Sequence, residues 1–382
     1  MEWKSRADAV IIGGGIIGAS TAYYLAKNGM KNIVLLEKDT ICGGSTGRCG
    51  AGIRAQWGTE MNCRLGVAAL DIFEQLDQEL GMDIGLNQGG YLLVAYTPEE
   101  VETLRRGMVL QNSLGIESRM VTLSEARKIC PGLAADDALA FFFHARDGHA
   151  DPFLTTFAYM EAAKRLGVRC FRHTACTGIL VEDNTVRGVL TDKGEILAPL
   201  VINCAGAYAQ FIAKMAGIDL PNWGERHEIM ITEPVAPGVC PCMLMSFSGN
   251  YYIQQRPHGS IICGMSPEGH PEDYEMKTTW QFIEAMSAIL ARLLPRTRGI
   301  RIARHWSGMY DMTPDAQPII GETDVKNFYH STGYSGHGFM LAPVAGKILA
   351  QHLTGQRPDI DFSMLDYRRF ARGEHIRESN VV

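Results

Sequence analysis

The feature that most constrains this chain is Gly13-x-Gly15-x-x-Gly18, set between an apolar run, Ala9–Ile12, and a stretch of helical spacing at 19–27. A second apolar run, Ile33–Leu36, follows and ends in Glu37. Together they predict a complete strand–helix–strand unit in the first 37 residues. Each glycine has a task in such a unit. Gly13 permits the tight turn, Gly15 lets backbone approach a pyrophosphate, and Gly18 lets helix and strand pack closely. The helix N-terminus offers unpaired N–H groups and the positive end of its dipole to phosphates. Glu37 can accept hydrogen bonds from ribose hydroxyls and disfavours a 2′-phosphate by repulsion. The motif therefore predicts a dinucleotide other than NADP, without separating NAD from FAD.

At 382 residues the chain exceeds one simple core, so two domains are expected. Its net charge of −6 offers no basic patch for nucleic acid or anionic lipid. Ten cysteines stand at 42, 49, 63, 130, 170, 176, 204, 240, 242 and 263 with no CxxC pair. Cys240 and Cys242, two apart, suit neither a zinc site nor a helical redox pair, so buried reduced thiols and no metal site are expected. Lys4 and Arg6 ahead of residues 9–19 resemble the start of a signal peptide, but three consecutive glycines break its apolar centre. No run of 18 apolar residues occurs, and the expected location is the cytoplasm.

Further along, strands are predicted at 90–95, 138–143, 169–181, 185–191, 200–204, 228–232, 251–255, 260–264 and 328–331. Helices are predicted at 98–114, 151–166, 279–294 and 343–353. No internal repeat or low-complexity linker interrupts them. The pattern implies an α/β chain, a Rossmann-like nucleotide domain interleaved with a mixed-sheet substrate domain. The expected nucleotide pieces are 1–88, 147–218 and 307–382; the substrate pieces are 89–146 and 219–306.

Three later segments favour FAD. A polar glycine-rich loop runs from Gly43 to Arg54 soon after Glu37. A second segment spans Gly308 to Gly321, and a third, Gly333-Tyr334-Ser335-Gly336-His337-Gly338-Phe339-Met340, leads into the last helix. With Asn203-Cys204-Ala205-Gly206-Ala207, they resemble the amino-acid oxidase (DAO) family of FAD-dependent oxidoreductases over nearly the whole chain. Within that family the likeness is strongest to the β subunits of heteromeric sarcosine oxidases and L-proline dehydrogenases. The Arg48-Cys49-Gly50 run, the Arg226-His227-Glu228 strand opening and the 335–339 turn carry it.

The resemblance implies FAD contacts at Gly13, Gly15, Ile17, Gly18, Glu37, Lys38, Ser45, Thr46, Arg48, Cys49, Gly50, Cys176, Ala205, Gly206, Gly336, His337, Gly338, Phe339 and Met340. Cys176 would contribute only backbone. It implies oxidation of a small amino acid with a secondary amine, of sarcosine, proline, hydroxyproline or opine type. Arg54 matches an arginine that binds the substrate carboxylate, for which a planar fork is suited. Tyr310 and Tyr252 match pocket tyrosines, with Tyr251 replacing Tyr252 if the strand slips by one. His227 reaches the pocket from its strand, and His337 orients the flavin loop.

The chain also departs from its relatives. Gly308 stands where single-chain sarcosine oxidases carry a flavin-linking cysteine, so noncovalent FAD is expected. The stretch 261–265 lacks the lysine that promotes reaction with oxygen, and a second pocket lysine is replaced by Met340. Pro152 occupies the position of the histidine that binds FMN covalently, with His149 three residues earlier. A noncovalent FMN at a subunit interface remains open. The implied partner is a second subunit carrying another flavin or an iron–sulfur centre, since this chain lacks grouped cluster cysteines. Two other readings keep the fold: a 2-hydroxy acid or glycerol-phosphate dehydrogenase, although a phosphate would want more basic residues than Arg54 and Arg304 offer, or a non-catalytic electron-relay subunit.

Overall fold

The computed structural model describes residues 3–266 and 274–380. Its centre is a six-stranded sheet whose first strands, Ala9–Ile12 and Ile33–Leu36, are apolar at every position and buried on both faces. Such continuous burial is characteristic of parallel strands covered on two sides. Val201–Asn203, Phe328–Thr332 and Arg169–Phe171 extend the parallel array, and Ile319–Glu322 adds an antiparallel edge.

Strand alternation divides the sheet's side chains between two cores. Ile11, Ile33 and Leu35 pack with the helices Ile16–Lys27, Glu60–Leu80, Pro152–Arg165 and Gly338–Leu353. Val10, Ile12, Val34 and Leu36 pack with a four-stranded sheet that includes Cys176–Glu182, Thr185–Thr191 and Gly194–Leu197. Helices Ile16–Lys27 and Gly338–Leu353 cross closely at Gly346, where a Cβ would lie 2.7 Å from Ser20 Oγ. Ser20 Oγ also donates to Ala342 O at 2.9 Å.

An eight-stranded, mostly antiparallel sheet lies alongside, ordered Ile302–Met312, Trp223–Thr232, Ile261–Met265, Tyr251–Gln255, Met243–Ser246, Tyr91–Ala95, Ala140–His144 and Arg119–Val121. Leu92 and Val94 face the core beneath helix Trp280–Leu293, while Tyr91, Leu93, Met243 and Met245 face the opposite way.

Several elements differ from the sequence expectation. The single strand predicted at 169–181 is two strands in different sheets, Arg169–Phe171 and Cys176–Glu182, with His173 between them at φ +50°. The last helix starts at Gly338, five residues before Pro343, which sits inside it. The segment around Gly308 and Tyr310 is an eleven-residue strand. The longest helix, Glu60–Leu80, lies outside the predicted elements.

Cys240 and Cys242 gain a third neighbour, Cys130, from more than a hundred residues upstream. All three sulfurs lie within 4.8 Å of one another and are buried. Thiol hydrogen bonds from Cys240 and Cys242 pull the Cys130 thiol below its ordinary value.

Candidate active site

The parallel strands end against one elongated cavity of about 450 Å³, within the range of cofactor and ligand pockets. Ala9–Ile12 delivers Gly13, Ile33–Leu36 delivers Glu37, and Val201–Asn203 delivers Cys204-Ala205-Gly206 to its rim. Ligands in open α/β sheets bind at this carboxyl edge.

The cradle leaves little room for side chains. A Cβ on Gly13 would lie 2.3 Å from Cys204 O, and Gly13 holds φ +116°. Gly206 at φ +56° has no neighbour within 4 Å of its Cβ position, so its backbone faces open space. Gly15 is the N-cap of helix Ile16–Lys27 and provides no side-chain cap; Thr46 Oγ1 accepts from Ile16 N at 3.2 Å. Glu37 accepts from Gly14 N at 2.7 Å and Asp39 N at 2.8 Å, which pins the carboxylate at the strand end. Lys38 Nζ stands 3.4 Å from the Tyr208 ring centroid. This glycine-lined, cation-rimmed trough with a helix N-terminus fits the phosphates of a dinucleotide, and a flavin requires the length of cavity that continues beyond it.

Every residue expected to hold the cofactor lines this cavity except Gly18. Gly18 instead faces the strand, where a Cβ would lie 2.0 Å from Gly13 O, so it serves the helix–strand contact. Cys176 lines the wall from the start of its strand. Gly308 packs over Arg48, its Cβ position 2.9 Å from Arg48 Cβ. Arg48 in turn donates to Gly43 O and Ser307 O, and Trp306 Nε1 donates to Arg48 O at 3.0 Å.

The far end is built by the eight-stranded sheet and loop 49–57. Arg54, His227, Tyr252 and Tyr310 all reach it. Strand register decides between the adjacent tyrosines. Tyr252 lines the cavity, whereas Tyr251 turns into the opposite core and bonds Tyr96 Oη at 3.0 Å. Gly50 and Gly264 leave space for the Tyr252 ring, with Cβ positions 2.8 Å and 2.5 Å from it. Tyr310 stacks on His227 with centroids 3.6 Å apart and 12° between planes. His227 Nε2 meets Glu225 Oε1 at 2.9 Å, and its Nδ1 meets Ser266 Oγ at 2.6 Å. Burial pushes both the Tyr252 and Tyr310 phenols up, so they stay protonated donors near neutrality.

Arg54 is 2% exposed and stacks 4.2 Å from the Trp57 ring centroid. Its Nη1 donates to Gln56 O at 3.0 Å and its Nη2 to Asn380 O at 2.6 Å. Two of its five donors are therefore spent on backbone. Its loop is fixed from behind by Asp147, which accepts from Ala55 N, Gln56 Nε2 and His144 Nδ1. His337 packs edge-on to Trp57, and desolvation with nearby Arg54 holds its ring at about 3, hence neutral.

Other positions changed the picture. Asp311 lines the cavity, accepts from Gly333 N at 2.7 Å, and is pushed up to about 6 by burial. Tyr91, Met243 and Met245 form an apolar wall that motif reading missed, since only strand register reveals it. Glu225 and Ser266 were missed likewise; the i, i+2 spacing of Glu225 and His227 on one strand face was the available signal. Arg304, considered as an anion partner, is exposed against Trp306 and does not line the cavity. His149 is buried against Arg256 Nη1 at 3.0 Å and held at about 3, while Pro152 begins its helix beneath the Asp151 cap.

Comparison with known proteins agrees with this geometry. Sarcosine oxidase subunit beta from Arthrobacter sp is 29% identical over 100% of this chain and 95% of that protein. Mitochondrial dimethylglycine dehydrogenase from Rattus norvegicus is 28% identical over 97% of this chain, which spans 46% of that longer protein. The crystal structure of L-proline dehydrogenase from P. horikoshii matches with a TM-score of 0.93 at 35% identity, covering 98% of this chain and 100% of that one. Glycine oxidase from Geobacillus kaustophilus, at 22% identity and a TM-score of 0.88, shares the fold over 96% of this chain and 99% of its own. No helix among the described residues is long and apolar enough to cross a membrane. The family model described as FAD dependent oxidoreductase (DAO) matches residues 8–352, and the chain belongs to that family of FAD-dependent oxidoreductases.

Proposed function

We propose that this chain oxidises a small amino acid bearing a secondary amine, as the FAD-carrying β subunit of a heteromeric cytoplasmic dehydrogenase. The observation that carries the reading is the composition of the cavity's far end. One buried cation, Arg54, and two protonated phenols, Tyr252 and Tyr310, stand against the apolar wall of Tyr91, Met243 and Met245. That is a carboxylate anchor beside space for a short apolar body.

FAD bound along the glycine cradle supplies a two-electron acceptor for the hydride lost from the substrate α-carbon. The protein's part is placement. Arg54 holds the carboxylate by charge and direction, with the Trp57 ring fixing its guanidinium plane. Tyr252 and Tyr310 donate hydrogen bonds and set the roll of the substrate. His227, engaged on both ring nitrogens, buttresses Tyr310 and does not act as a base. The substrate therefore enters as the neutral amine, with its proton left to solvent. Met243 and Met245 exclude water from the α-carbon. Gly308, which has no side chain to offer the flavin, supports noncovalent FAD, and His149 and Pro152 support no covalent FMN.

A phosphate substrate is less well served. Arg48 is occupied by two carbonyls, Lys38 stands over Tyr208, and Arg304 lies outside. The test is an anaerobic panel followed by flavin absorbance, with sarcosine, proline, hydroxyproline and an opine set against 2-hydroxy acids and glycerol phosphate. Bleaching by at least one secondary amine and by no hydroxy compound is expected. Bleaching by a hydroxy compound alone would overturn the proposal, and bleaching by none would favour the electron-relay reading.

A further inference from the structure

The cysteine cluster lies outside the oxidation site, and nothing in the proposed reaction uses it. Cys130 caps the C-terminal end of helix Leu123–Ile129. Cys240 and Cys242 come from the Val239-Cys240-Pro241-Cys242 loop that leads into strand Met243–Ser246. The two limbs meet in the core beneath helix Trp280–Leu293.

Cys130 Sγ donates to Val239 O at 3.6 Å and Cys240 Sγ to Cys242 O at 3.4 Å, but both limbs are also held by groups other than the sulfurs. Gln255 Oε1 accepts from Val239 N at 2.9 Å and Cys240 N at 3.2 Å, while its Nε2 donates to Ala236 O and Gly259 O. Gly132 N donates to Val239 O at 3.1 Å, tying the loop to the residue after next from Cys130. Pro241 fixes its own φ, and its carbonyl presses on Gly89, where a Cβ would lie 1.9 Å away. The three sulfurs are thus brought together by a scaffold that would persist without any bond among them. A trigonal ion with metal–sulfur bonds of about 2.3 Å places its ligands about 4 Å apart. The observed grouping, within 4.8 Å, closes to that spacing by small rotations of the side chains.

We infer that Cys130, Cys240 and Cys242 form a tris-thiolate site for a soft d10 cation, cuprous ion or zinc. Thiolate sulfur selects such ions over hard ones. Among the described residues no histidine or carboxylate joins the group, which gives three protein ligands and favours cuprous ion by coordination number. Each sulfur releases its proton to solvent on ligation, and no electron transfer is involved. The surrounding Leu133, Val239, Leu293 and Leu294 exclude competing water. The ion would staple the helix end at Cys130 to the strand carrying Met243 and Met245.

The flavin-loaded protein, purified with a reductant under argon, is titrated separately with Cu(I) and Zn(II) in competition with a chromophoric chelator. One equivalent of one of these ions should be retained. X-ray absorption of that complex should show three sulfur ligands, and the thermal midpoint should rise. Cys130→Ser, Cys240→Ser and Cys242→Ser should each reduce retention from one equivalent to none. Cys263→Ser, in the same core but outside the triad, should keep it. Retention of neither ion, fewer than three sulfurs in the wild-type spectrum, or unchanged uptake in Cys130→Ser would overturn the inference. So would a disulfide among the three found by alkylation of the reduced preparation. The wild-type spectrum decides the matter even if a serine variant fails to fold.

Discussion

At the level of single residues, the proposed function rests most heavily on Arg54. Its guanidinium is buried, stacked on Trp57 and partly committed to the carbonyls of Gln56 and Asn380. Lysine would keep the charge but lose the fork, the stacking and both backbone contacts. Arg54→Lys should therefore raise KM sharply and also lower kcat, a combined loss of about 1–3 kcal/mol in transition-state binding. Steady-state kinetics with an artificial dye acceptor would measure it, and wild-type parameters would move the clamp elsewhere. Residue-level features were legible where chemistry is written in short motifs. The glycines at 13 and 15 and the pair Tyr310 and His227 reach one cavity from strands far apart in sequence. The choice between Tyr251 and Tyr252 was not legible, because a slip of one position exchanges the two faces and the pairing of Tyr252 with Met245 and Gly264 on the neighbouring strands fixes it. The Cys130 contact was hidden for a related reason: spacing along the chain reports Cys240 and Cys242 but not a partner delivered by folding.

At the level of elements, strongly apolar runs such as 9–12 and 33–36 read directly as strands, and locally capped helices read directly as helices. Thr97 and Asp151 cap helices Pro98–Ser113 and Pro152–Arg165 with their own side chains. Helix Glu60–Leu80 was missed although Thr59 and Glu60 at its start and Gly81 at its end are ordinary helix-boundary residues. Thr59 makes no side-chain cap, and the partner is Glu378 from the other end of the chain. Glu378 accepts from Gly58 N at 2.7 Å, Thr59 N at 3.0 Å and Asn62 Nδ2 at 2.9 Å, a carboxylate at the positive end of a 21-residue helix. The same carboxylate takes Asn380 N, and Asn380 O holds Arg54. Glu378→Gln should thus lower stability by about 1–2 kcal/mol. It should also raise KM by loosening the guanidinium, with flavin content unchanged. Urea unfolding and kinetics on one preparation test both halves; a stability loss with unaltered KM would separate the tail from the site.

For the whole molecule, buried histidines set the response to acid. His149 and His330, both outside the cavity, are held at about 3 by desolvation, from an ordinary value of 6.5. Their folded pKa values are depressed, so the unfolded chain binds protons that the fold refuses. Stability is full above pH 6.5 and falls as pH drops from there toward 3, by roughly 1.4 kcal/mol per pH unit for each ring. Urea midpoints at successive pH values should show this slope, and His330→Leu should flatten it; a flat wild-type profile between pH 6.5 and 5 would refute the assignment. The electron path belongs to this scale as well. Among the described residues Lys38 is the only lysine lining the cavity, and Cys263 faces the core beneath helix Trp280–Leu293. With no lysine near the reacting end, reduced flavin in the isolated chain should reoxidise slowly in air, and an artificial dye should restore turnover. Fast stoichiometric peroxide production would identify a free-standing oxidase instead. The α/β character of the chain was legible from element order, whereas the convergence of two sheets on one cavity depends on long-range pairing that no local pattern records. The most direct test of the central claim is anaerobic stopped-flow mixing of the FAD-loaded protein with a secondary-amine amino acid, protonated or deuterated at the α-carbon. Rapid bleaching of the flavin with a primary isotope effect on its rate is the predicted result; bleaching indifferent to α-deuteration, or none with any secondary amine, would contradict hydride transfer from that carbon.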